Sequence, residues 1–229
     1  MGGAGLAQQI ELPPYTKGEE IFNWVSHLVG FLLAVSASII TLPVAINTGK
    51  ATVIVAMAIY CFTIIVQYAA STIYHGLPPE KFPKLKKAFR LIDHYCVFLF
   101  IAGTVTPYAL IALGESWVGY TWLSVVWIIA IIGRIFKTIG MKRFNNAARI
   151  CSAAMGLSIL CVIAPLLKSI GIEVLSILLF GAFFYIIGLV LYELGRTKRY
   201  AHGVWHLCVL AGSFIQFFAI WYYLVLPAS

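Results

Sequence analysis

The sequence predicts an all-α membrane protein, a bundle of seven transmembrane helices with its N-terminus cytoplasmic and its C-terminus outside. Three observations predict it. The 229 residues are 62% hydrophobic and only 10% charged, with a mean hydropathy of +0.95, whereas a soluble domain carries about a quarter charged residues. The apolar residues fall in continuous runs long enough for the roughly 20 residues that a helix needs to cross a bilayer. Lys and Arg are confined to alternate gaps between those runs, which is the charge signature of topology.

Taken in order, the runs place helix 1 at about 22–46, helix 2 at 51–76, helix 3 at 91–113 and helix 4 at 117–138. Helix 5 follows at about 147–168, helix 6 at 172–192 and helix 7 at 201–226. Residues 1–21 are then a polar cytoplasmic tail without a cleavable signal peptide of the usual form, and 22–226 form the transmembrane domain. Long unbroken runs indicate helices rather than barrel strands, which would alternate. Gly30, Gly103, Gly156, Gly188 and Gly212 fall within spans and are expected to allow close helix approach. Pro43, Pro107 and Pro165 stand toward the far ends of helices 1, 3 and 5, where each should kink or help end its helix.

The loops fix the orientation. The tail holds Lys17, and the 2–3 loop holds Lys81, Lys84, Lys86, Lys87 and Arg90. The 4–5 connection holds Arg134, Lys137, Lys142, Arg143 and Arg149, and the 6–7 loop holds Arg196, Lys198 and Arg199. These segments share one side, and of the 16 Lys and Arg only Lys50 and Lys168 fall on the other. By the positive-inside rule the N-terminus is cytoplasmic. The net charge of +8 is therefore topological, and it speaks for no nucleic-acid partner. The basic loops are also placed to hold anionic lipid headgroups. The five cysteines all lie in apolar runs with no CxxC pair, so neither a disulfide framework nor a thiolate metal site is indicated.

The ionisable residues of the spans gather at one depth. His27 is in the second turn of helix 1, His75 closes helix 2, Asp93 and His94 open helix 3, and His202 and His206 open helix 7. Ionisable groups in a membrane are costly and mark function by default. The four-residue spacing of His202 and His206 puts both imidazoles on one helix face, and His75 meets the same depth from helix 2. Three histidines with an open fourth position form the catalytic zinc pattern, although all-nitrogen ligation also suits Fe, Ni or Cu. Asp93 is then placed to hold the water at the open position and take its proton. Ser71, one turn deeper than His75 on the same face, is placed to bind that water or a developing oxyanion; by itself it reads as an interhelical hydrogen-bonder. His27 is expected to hydrogen-bond Asn23 or a neighbouring helix. His94, rotated about 100° from Asp93, is expected to face elsewhere in a structural or supporting role.

YAASTIYH at 68–75, IDHYCVFLFIAGTVTPY at 92–108 and HGVWH at 202–206, with GEEIFNWVSHLVG at 18–30, resemble the hemolysin III family. That family is the bacterial branch of the progestin and adipoQ receptors and is related more widely to alkaline ceramidases. The resemblance covers nearly the whole chain, with separated motifs in the right order. It implies a seven-helix protein of the bacterial inner membrane, with a zinc ion held by His75, His202 and His206, Asp93 holding water, and Ser71 beside it. Three functions follow as expectations: a metal-dependent hydrolase of a lipid amide or ester serving membrane lipid homeostasis, a non-enzymatic regulator or receptor-like protein with structural zinc, or a cytolysin. The last would need polar residues through both leaflets and an amphipathic pore-forming segment, and the sequence offers neither.

Overall fold

The computed structural model describes residues 10–140, 143–195 and 197–228, so two of the loop cations, Lys142 and Arg196, lie outside the described residues. Those residues are helical throughout their ordered elements, with no strand among them. Helix α1 spans Lys17–Asn47 and starts ahead of its apolar run because Thr16 and Glu19 form a capping box. The Thr16 N–H donates to Glu19 Oε2 at 2.9 Å, and the Glu19 N–H donates to Thr16 Oγ1 at 3.3 Å. The helix therefore begins at residue 17, ahead of the apolar run that starts at about 22.

The buried face of α1 is its polar and small one, with Asn23, His27, Gly30, Ser38 and Thr41 inside and Ile21, Val25, Leu33 and Ile40 exposed. A soluble amphipathic helix buries the opposite face. This inversion is what a lipid solvent selects.

Helix α2 spans Ala51–Gly76, as the apolar run predicts. Helix α3 spans Pro83–Pro107, with proline in its first turn. It begins well before 91, because helicity continues through a charged stretch that hydropathy does not register. Asp93 and His94 accordingly lie in its third turn rather than at its start. Lys86, expected as a loop charge, is 2% exposed within α3. Its ammonium donates to the carbonyls of Tyr74 at 3.1 Å and Leu77 at 2.9 Å, closing the C-terminus of α2 where a cation is favoured.

After Pro107, which cannot continue the ladder, the chain widens into a π-turn over Tyr108–Ala112. Helix α4 spans Trp117–Gly140. Helix α5, Asn145–Leu157, tightens into a 3₁₀ stretch at Ser158–Val162 just ahead of Pro165. Helix α6 spans Ile163–Leu194 and is interrupted at Gly171 (φ 74°, ψ 171°). Helix α7 spans Ala201–Ile220 and ends in a π-turn and a 3₁₀ turn.

Six segments among the described residues are long and apolar enough to cross a membrane. The fifth, Asn145–Leu194, has 50 residues, more than twice what one crossing needs. Its two ends meet in an ion pair between Arg149 and Glu193. Its middle reaches the far end of α3, where Ser169 Oγ donates to the Ala112 carbonyl. The segment thus folds back on itself at Gly171, whose φ is positive, a region that suits glycine.

Glycines bring the helices together as expected. A Cβ at Gly103 would lie 1.9 Å from Thr63 Oγ1, and one at Gly30 would lie 2.6 Å from the Tyr68 ring. Gly156 is the exception, with open space around its Cβ position. In the interior, the Tyr68 hydroxyl donates to Ser213 Oγ at 2.7 Å and the Tyr108 hydroxyl to Gln216 Oε1 at 2.7 Å. The five cysteines are free.

Candidate metal centre

Helices α1, α2, α3 and α7 meet at the end of the bundle where α2 stops and α7 begins. The turn before α7 is held from α1. Tyr200 takes a left-handed conformation (φ 60°), and its N–H donates to Glu19 Oε1 at 3.0 Å. His202 and His206 then project from one face of α7 toward the last turn of α2.

His75, His202 and His206 each offer a ring nitrogen, and these three atoms lie within 4.8 Å of one another. The Nε2 atoms of His202 and His206 are 3.1 Å apart, close to the separation of two ligands on a tetrahedral ion with bonds of about 2.0–2.1 Å.

The partners of the other ring nitrogens decide which atoms are free to bind. Glu20 Oε2 accepts from His75 Nδ1 at 2.6 Å, leaving His75 Nε2 buried with no hydrogen-bond partner among the described residues. His206 Nδ1 faces the Asn23 carbonyl at 3.2 Å. A carbonyl only accepts, so the proton sits on Nδ1 and the lone pair on Nε2. Lone pairs from α2 and α7 are thereby aimed at one point, in a place where His75 is 2% and His206 0% exposed. Buried acceptors without a donor are costly, and a cation relieves that cost. The donor set and the orphaned nitrogen both fit a metal ion, and the carboxylate behind His75 is the arrangement that fixes tautomer and ring orientation in metal sites.

Glu20 is itself held, its Oε1 lying 2.7 Å from the Lys86 ammonium. Sequence reasoning missed Glu20 and Asn23. Their signal was present, since Glu20, Asn23 and His27 recur at helical spacing on one face of α1. His27 does not bond Asn23. Its ring stacks on His206 with centroids 3.7 Å apart, and both its nitrogens lack partners among the described residues. The Asn23 amide nitrogen lies 3.4 Å from His75 Nδ1, which already gives its proton to Glu20 and so accepts nothing from it.

Asp93 lies beside this cluster, 7% exposed, within electrostatic reach of His75 and Ser71. Its hydrogen-bond partner is Gln67, whose Nε2 donates to Oδ1 at 3.3 Å. Ser71 is buried; its hydroxyl interacts with the Asp93 carboxylate but has no closer hydrogen-bond partner among the described residues. Aromatic rings enclose the histidines. Tyr15 stacks on His202 at 5.1 Å, and burial pushes its phenol up from its ordinary range, keeping it neutral. Trp205 packs on His202 at 4.8 Å.

A cavity of about 500 Å³ borders the cluster, with Asp93, His94, His202, Arg90, Lys137 and Tyr192 in its wall. His94 lines the same cavity as Asp93. The chamber is wide enough for adjacent faces of α3 to line it.

The family model described as haemolysin-III related matches residues 15–217. Hemolysin-3 of Bacillus cereus is 36% identical over 211 residues, covering 92% of this chain and 94% of that protein. The hemolysin-3 homolog of Bacillus subtilis (strain 168) is 32% identical over 211 residues, covering 92% and 97%. The human monocyte to macrophage differentiation factor is 24% identical over 169 residues, covering 72% and 69%. With its apolar helices, its inward polar faces and a histidine triad that could hold a metal ion, the chain is a multi-pass membrane protein and belongs to the haemolysin-III family.

Proposed function

We propose that this protein is a zinc-dependent hydrolase that cleaves an amide or ester bond of a membrane lipid. The observation that carries the reading is a cavity open beside three convergent imidazoles and a buried carboxylate. A structural zinc is closed by four protein ligands, whereas catalytic sites keep a position open. His75, His202 and His206 are the ligands, with Glu20 setting the tautomer of His75. Zinc held there supplies Lewis acidity toward a carbonyl oxygen and lowers the pKa of water. Asp93 orients the attacking water and takes its proton. The Ser71 hydroxyl, beside Asp93, donates to the oxyanion that develops. Tyr15, Trp205 and Tyr192 limit the access of bulk water.

We further read the chain as crossing a bacterial inner membrane seven times, with the N-terminus cytoplasmic. The fold-back at Gly171 supports two crossings within the fifth apolar segment. The lopsided distribution of Lys and Arg supports the orientation. The site then lies just beneath the cytoplasmic leaflet, where a lipid presents its linkage. Exposed loop cations such as Lys81 and Lys84 attract anionic headgroups to that face.

The test is turnover of a lipid extract by the purified full chain, together with its metal content. Wild type should carry about one zinc per chain and release fatty acid. Asp93→Ala should keep the metal and lose roughly 10²–10⁴-fold in rate. His202→Ala with His206→Ala should lose both, and Lys50→Ala, at the other end of the bundle, neither. Metal-dependent stability with no turnover of any lipid would sink the enzymatic reading.

A further inference from the structure

Two buried lysines at this end of the bundle have different company. Lys86 is matched to the Glu20 carboxylate and two carbonyls. Lys137 is 5% exposed, yet its ammonium has one neutral acceptor, Asn145 Oδ1 at 2.8 Å. No carboxylate lies within ion-pair distance of it among the described residues. An ammonium has three donors, and a buried charge without a counter-charge is costly.

Lys137 faces the cavity beside the histidines, and so does Arg90, which is within its electrostatic reach. Arg90 donates to the Glu11 backbone carbonyl and forms no ion pair with a described carboxylate. The start of α5 is also there. Asn145 lines the cavity, and the helix has no side-chain cap, so its positive end is open to an anion.

Two cations with no carboxylate in ion-pair contact thus face one chamber of about 500 Å³, with Glu193 and Asp93 acting on them only at longer range. We propose that this chamber takes the phosphate group of a lipid, bridged between the Lys137 ammonium and the Arg90 guanidinium. A phosphate offers several acceptor oxygens to a point charge and a planar fork together. Asp93, on the same wall, repels the phosphate and so directs it to the Lys137 side, leaving the uncharged linkage by the histidines. The inference deepens the hydrolase reading by naming the substrate class as phosphate-bearing lipids.

The test is equilibrium binding to the purified full chain in detergent, using dihexanoyl phosphatidate, dihexanoylglycerol and inorganic phosphate. The phosphatidate should bind about tenfold or more tighter than the uncharged glyceride, as a desolvated charge-assisted contact implies. Lys137→Gln should remove that preference, Lys137→Arg should restore most of it, and Lys50→Gln, at the other end of the bundle, should leave it intact. Equal binding of phosphatidate and glyceride, or wild-type binding by Lys137→Gln, would overturn the site. Inorganic phosphate binding as tightly as the phosphatidate would overturn the lipid assignment. Binding is read without turnover, so the two readings fail separately. Cleavage of neutral lipids alone, indifferent to Lys137, would remove this inference and leave the hydrolase. Phosphatidate binding without any cleavage would do the reverse.

Discussion

Glu20 connects two demands through one carboxylate. One oxygen accepts from His75 Nδ1 at 2.6 Å, and the other meets the Lys86 ammonium at 2.7 Å. The first contact holds the His75 lone pair on Nε2, facing the site. Replacing the carboxylate by an amide weakens that hold without removing the carbonyl contacts of Lys86. Glu20→Gln should therefore keep the fold but bind metal about 10–100-fold more weakly, read by competition with a graded chelator. A variant that retains zinc as wild type does would show that the carboxylate has no such role. The histidine triad was legible because histidine is rare in spans and His202 and His206 share a face. Glu20 was not, because an acid in the first turn of a membrane helix reads as an ordinary N-terminal charge. Only its partners on α2 and α3 reveal its use. Lys86 and Lys137 misled for the same reason. A cation near a span's end looks topological until its burial is known.

At the scale of elements, hydropathy located the apolar spans and left the helix ends obscure. It placed α2 correctly, since that helix is apolar from end to end. It started α1 and α3 late, because a capping box and an N-terminal proline extend both helices into polar sequence. Which faces meet was hidden as well, and here glycine decides. A Cβ at Gly203 on α7 would lie 2.1 Å from Phe22 Cδ1 and 2.9 Å from Asn23 Oδ1 on α1. The approach of α1 to α7 therefore depends on that missing methyl, and so does the Asn23 carbonyl that faces His206. Gly203→Ala should destabilise the chain by roughly 1–3 kcal/mol. That lowers the melting temperature in detergent by roughly 2–4 °C for each kcal/mol and loosens zinc. Phe22→Ala in the same chain should recover part of both. Melting unchanged in Gly203→Ala would mean that α1 and α7 are not in this contact.

For the whole molecule, the decisive question is the path of the 50-residue segment. Length and hydropathy count it once, whereas its geometry turns it round at Gly171. The contacts at its ends and middle follow from that turn, since Arg149 reaches Glu193 and Ser169 reaches Ala112. A chain that doubles back must expose residues 84 and 197 on one face of the membrane and residues 115 and 168 on the other. If the segment crossed once, residue 197 would change sides relative to residue 84, and the histidines of α7 could not share a depth with His75. The measurement is labelling by an impermeant thiol reagent in whole cells and in inverted vesicles, after replacing the five native cysteines. Lys84→Cys and Thr197→Cys should react only in inverted vesicles. Glu115→Cys and Lys168→Cys should react in intact cells. Reaction of Thr197→Cys from outside would break the link between α2 and α7, and with it the metal site, because no zinc can be shared by ligands on opposite faces of a bilayer roughly 30 Å thick.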